Sequence, residues 1–111
     1  MKGSGWLFVG FLAIGCTHQP QDEIIPVCSA DVPVSFQNSI QPTINATCSY
    51  SGCHDGANGR IPRLITLEEV QANTSDIYFQ LTRGAMPPVG SARLTAREKA
   101  VILCWIQQGA K

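Results

Sequence analysis

The sequence predicts an all-α domain. Between Ser35 and Thr47 the apolar residues Phe36, Ile40 and Ile44 recur every four positions, which stacks them on one helical face. Two Thr-x-x-Glu boxes, Thr66-Leu67-Glu68-Glu69 and Thr95-Ala96-Arg97-Glu98, open later runs with reciprocal caps for free backbone amides. No stretch alternates apolar and polar residues as a half-buried strand does.

Each helix follows from local chemistry. The first spans Ser35 to Thr47, and Pro42 either kinks it or starts a second helix at its first turn, where a missing N–H costs nothing. The Thr66 box begins a short helix running to about Ala72. A further helix covers Ser75 to Arg83 and ends at Gly84, a residue that readily leaves a helix. The Thr95 box opens the last helix, which carries Val101, Ile102, Trp105 and Ile106 and closes at Gly109. Trp105, Phe36, Ile102 and Ile106 are expected to join the first and last helices, and Tyr78 and Phe79 to line a pocket or the core.

The N-terminus sets the compartment. Lys2 precedes an apolar run from Trp6 to Ile14, the layout of a secretory signal peptide too short to span a bilayer as a helix. Leu12-Ala13-Ile14-Gly15-Cys16 resembles a bacterial lipobox, which implies cleavage before Cys16 and acylation of that residue. Residues 1–15 are thus read as a lipoprotein signal peptide and 16–34 as a lipidated N-terminus and flexible tether, broken by Pro20, Pro26 and Pro33. Residues 35–111 form one small domain, a size at which a core is marginal without a staple or a cofactor. The chain carries eight basic and eight acidic residues, with no cluster of either sign to suggest nucleic-acid binding.

The cysteines carry the chemistry. Cys48-Ser49-Tyr50-Ser51-Gly52-Cys53-His54 places two thiols ahead of an imidazole. Cys-x-x-Cys-His is the signature of covalent haem attachment, in which two thiols bond the porphyrin vinyl groups and the histidine takes the iron. Here four residues separate the thiols, so the segment must bulge, and Gly52 can absorb the unusual backbone angles. With Cys16 set aside, four cysteines remain, for which three disulfide pairings exist. If haem takes Cys48 and Cys53, the pair left is Cys28 and Cys104, a bond that contributes about 2–4 kcal/mol when unstrained.

The order of these features resembles a small class I cytochrome c, and most closely the small exported cytochrome c-like domains. The shared positions are Phe36, Ile40-Gln41-Pro42, Cys48, Cys53-His54, Met86-Pro87, Leu94-Thr95 and Trp105-Ile106, covering residues 34–110. The resemblance implies a small helical domain wrapped around one covalent haem c, thioether-linked through Cys48 and Cys53, with His54 as the proximal iron ligand and Met86 as the distal one. A thioether sulfur is a soft, neutral donor that favours reduced iron. Gly84 ahead of Met86, and Pro87 and Pro88 after it, suit a stiff strap across the distal face. Arg60, Arg63, Arg83 and Arg93 are the candidates to meet the haem propionates.

The expected function is single-electron transfer outside the cytoplasmic membrane, on its periplasmic or cell-surface side, with redox proteins as partners and a membrane contact through the N-terminal lipid. No carboxylate pair, nucleophile triad or phosphate loop points to substrate turnover, so the chain reads as a carrier and not an enzyme. The alternative is a haem-free lipoprotein module stapled by two disulfides and used for binding or assembly. A zinc site on cysteine and His54 is the weakest reading, because adjacent Cys53 and His54 are poorly placed around one tetrahedral ion.

Overall fold

The structure, a computed structural model, describes residues 28–111. The signal peptide, Cys16 and the stretch 16–27 of the expected tether lie outside the described residues. Among the described residues the fold is helical, with no strand and no helix long and apolar enough to cross a membrane. The order is a π-helical segment Phe36–Ile40, α1 (Gln41–Thr47), α2 (Leu67–Ala72), α3 (Thr74–Thr82) and α4 (Ala96–Gln107).

Pro42 decides the form of the first element. It sits in the first turn of α1, where its lack of an N–H is harmless. Upstream, the chain widens into a π segment, with the Gln41 N–H reaching back to the Phe36 carbonyl. A tight α turn there would press the proline ring toward the Asn38 carbonyl, and widening the preceding turn relieves that clash. Ser35 caps the segment by accepting from the Asn38 N–H at 3.3 Å.

Both capping boxes form as the sequence requires. Thr66 Oγ1 accepts from the Glu69 N–H at 3.3 Å while Glu69 Oε2 accepts from the Thr66 N–H at 3.0 Å. Thr95 and Glu98 repeat the exchange at 3.1 and 2.8 Å. Gly84 leaves α3 with φ +72°, a conformation that a Cβ would strain.

The core lies between the first and last helices. Phe36, Ile40 and Ile44 point their shared face at Ile102 and Trp105, and all five are buried. The Phe36 and Trp105 rings meet at 5.6 Å between centroids, an aromatic contact that adds to their area burial. Leu64, Val70 and Leu81 close the same cluster from the loop, α2 and α3. The Trp105 Nε1–H donates to the Lys111 carbonyl and the Gln71 side chain to the Ala110 carbonyl, which fastens the C-terminus over the core.

The last part of the expected tether, residues 28–34, is fastened to the domain. Cys28 and Cys104 form a disulfide with a sequence separation of 76, for which chain-entropy arguments give a stabilisation on the order of 4 kcal/mol. Gln108 on the same side adds a clamp, accepting from the Val34 N–H at 2.9 Å and donating to the Ser29 and Val32 carbonyls.

Candidate functional site

The cavity that matters lies between the loop 48–64, helix α3 and the loop after it. It has a volume of about 450 Å³, within the roughly 300–1,000 Å³ range of ligand pockets. Ile44, Ile61, Leu64, Ile77, Leu81 and Ile102 make its walls largely apolar. Cys48, Cys53, His54 and Met86 all line it, so one cavity gathers the four residues singled out from sequence.

Cys48 ends α1 as its C-cap, with its N–H still bonded to the Ile44 carbonyl at 2.8 Å. Burial pushes its thiol up from the ordinary value; a 3.5 Å hydrogen bond with Thr47 Oγ1 opposes this, and the nearby Cys53 adds to it. The chain then bulges through residues 49–53, and Gly52 takes φ +83°, a left-handed conformation that glycine adopts without strain. The His54 N–H returns to the Cys48 carbonyl at 2.9 Å, closing the bulge. Cys48 and Cys53 are both free thiols, while Cys28 and Cys104 are bonded to each other.

His54 is oriented by the backbone. Its Nδ1 lies 2.6 Å from the Pro62 carbonyl, which can only accept, so Nδ1 carries the proton and donates it. In the neutral ring this leaves Nε2 as an unprotonated donor, the form in which histidine binds a metal. The Leu64 N–H bonds the His54 carbonyl at 3.0 Å and Ser49 Oγ donates to the Leu64 carbonyl at 2.6 Å. Pro62, Leu64 and His54 are thereby held as one frame.

Met86 follows α3 after only a short turn. The Ala85 and Met86 N–H groups both reach the Gln80 carbonyl, at 3.0 and 3.4 Å, which ties the strap to the helix end. Met86 lines the cavity with Pro87 and Pro88 and is 41% exposed.

Other assignments change. Tyr78 and Phe79 do not line the cavity; both are exposed, and Phe79 packs under the Arg83 guanidinium at 5.2 Å. On this side the cavity is lined by Asn73, the N-cap of α3, and by Asp76, Ile77, Gln80 and Leu81 of the helix. Of the four arginines, Arg60 lines the cavity, whereas Arg63 pairs with Glu69 at 3.3 Å. The sequence reading also missed Pro62, whose role is carried by a carbonyl, and the polar residues of α3. Their spacing of three and four was the signal available for the latter.

Two carboxylates brace the loop and give it an acid limit. The Ala57 amide, then that of Gly52, holds the Asp55 carboxyl below the usual carboxylate range, with bonds of 3.0 and 3.2 Å. The Thr66 and Ile65 amides, with Arg63 contributing less, do the same for Glu69. Depressed groups stabilise fully above their ordinary values of about 4 and lose that contribution as pH falls through the lower folded values. The amide proton shifts of Ala57 and Thr66 should therefore titrate with midpoints below the ordinary values of aspartate and glutamate, respectively. Midpoints at or above the ordinary carboxylate values would contradict these bonds.

Among the described residues, no group of three His, Cys, Asp or Glu side chains could hold a metal ion. Comparison of the chain with models of known protein families, with curated proteins and with solved structures gives no match.

Proposed function

We propose that the chain is a lipid-anchored monohaem c-type cytochrome that carries single electrons outside the cytoplasmic membrane, fitting the class I pattern. The observation that supports this most is the convergence on one apolar cavity of two unpaired thiols, a histidine with Nε2 left free, and a methionine on a proline-stiffened strap. The donor set fits haem c: two thiols for thioether bonds, one imidazole and one soft sulfur for iron.

When bound, haem supplies a one-electron iron couple. Cys48 and Cys53 hold it to the chain, which prevents loss by dilution in an exported protein. His54 Nε2 would hold the iron, and the Pro62 carbonyl, which fixes the ring's orientation, would strengthen it as a donor. Ile44, Leu64, Leu81 and Ile102 would exclude water, and Met86 would supply a soft sulfur donor. His54 and the strap are both fastened to backbone, which would keep the two donors in place in either oxidation state. Redox proteins are the partners of such a carrier.

An absorption spectrum of protein expressed with haem-attachment machinery tests this reading. The expected result is a coloured, low-spin haem protein; a colourless protein retaining two free thiols in the cavity contradicts it.

The anchor has its own test. Metabolic labelling with a fatty-acid analogue should mark the wild type, and Cys16→Ser should abolish the label and release soluble protein. Labelling that persists in the variant would place the lipid elsewhere.

A further inference from the structure

His54 opens a loop whose two limbs run side by side, residues 54–56 on one and 62–64 on the other. Two hydrogen bonds join the limbs directly. The His54 Nδ1–H donates to the Pro62 carbonyl at 2.6 Å, and the Leu64 N–H donates to the His54 carbonyl at 3.0 Å. A side chain joins them as well. The Arg63 stem lies where a side chain at residue 56 would project: a Cβ there would stand 3.0 Å from Arg63 Cδ and 3.4 Å from its Cγ. Gly56, at φ +90°, leaves that space open.

The same arginine reaches the first turn of α2. Arg63 Nε meets Glu69 Oε1 at 3.3 Å, and Glu69 Oε2 accepts from the Ile65 and Thr66 amides at 2.9 and 3.0 Å. One carboxylate thus holds residues 63, 65 and 66, the stretch that directly follows Pro62. Arg63 is exposed and Glu69 partly so, and an ion pair this open to water adds little stability in itself. Its effect is on geometry. Two amides at a capped helix start already fix Oε2, which makes Oε1 a stationary anchor for the guanidinium.

Resting on the reading of His54 as an iron ligand, we propose that Gly56, Arg63 and Glu69 form a brace that positions His54 and holds the iron potential down. The brace keeps the Pro62 carbonyl against the ring, so the Nδ1 proton leans toward that oxygen and Nε2 gains electron density. A more basic Nε2 would favour ferric iron, and slackening the brace would raise the potential. None of the three residues is a ligand; each is a positioning residue that acts through Pro62.

The test compares the full-chain holoprotein with two variants that leave the net charge unchanged, so a change in overall charge cannot account for a shift. The first combines Arg63→Gln with Glu69→Gln, which removes the ion pair while a glutamine oxygen can still accept from the Ile65 and Thr66 amides. The second is Gly56→Ala, whose Cβ would push the Arg63 stem aside. Two quantities are read: the solvent exchange rate of the His54 Nδ1 proton in the ferrous protein, and the midpoint potential.

Losing the pair should release restraint worth about one hydrogen bond, so the Nδ1 proton of the double variant should exchange about tenfold faster. Its potential should rise, with the covalent haem retained. Gly56→Ala should move both quantities in the same directions. An exchange rate or a potential that stays at its wild-type value in the double variant, or a potential that falls, overturns the brace while the haem reading stands. Both quantities unchanged in Gly56→Ala overturn the part assigned to the arginine stem. A wild-type chain without covalent haem overturns the haem reading and, with it, the brace's role.

Discussion

Cys48→Ala or Cys53→Ala should leave a protein holding its haem by a single thioether, or no mature holoprotein, and changing both should abolish covalent haem entirely. The expectation follows from the bulge that brings the two thiols to one cavity and from the His54 amide that closes it on Cys48. Cys48, at the end of α1, is the member that packs against the core, so its loss also removes that packing. Intact mass after haem extraction separates these outcomes. A double variant that still carries covalent haem would mean that attachment runs through another residue.

Met86→Ala should open a coordination position to water or added ligands and lower the potential by on the order of 0.1 V or more, within the roughly 0.8 V that haem axial ligands span. The wild-type ferric protein should be low-spin and show the weak long-wavelength band of a sulfur–iron bond, which the variant loses. Met86→His should keep iron six-coordinate while also lowering the potential, because imidazole is the better donor to ferric iron. The pair thus separates loss of a ligand from loss of packing. A spectrum unchanged by Met86→Ala would make Met86 a wall residue of the cavity and nothing more.

What was legible in the chain was local. Thr66 with Glu69 and Thr95 with Glu98 announce their helices because a capping box is satisfied within four residues, whatever surrounds it. Phe36, Ile40 and Ile44 likewise reveal their face through period alone, although the π widening ahead of Pro42 is a steric adjustment that no period records. The α3 face was misread because Ile77, Tyr78, Phe79 and Leu81 form an almost continuous apolar run that leaves two faces open. Packing selected Ile77 and Leu81 and left Tyr78 and Phe79 exposed.

Long-range fastenings were hidden for a different reason. Gln108 meets Val34, Ser29 and Val32 across more than seventy residues of sequence, and nothing in an isolated glutamine marks it as a clamp. Similarly, Pro62 acts through its carbonyl, a group every residue owns, so its hold on His54 depends wholly on how the 48–64 loop folds. The four residues read as haem-binding, two thiols and two iron donors, were legible by residue type and order. Their common cavity is a property of the fold.

The most direct measurement is acidic acetone extraction of the full chain, expressed with haem-attachment machinery, followed by intact mass. The account predicts that the colour stays with the polypeptide and that the mass includes one haem, bonded through Cys48 and Cys53. Colour that passes into the organic phase, or a mass showing only the hydrogens lost to disulfides, would contradict it.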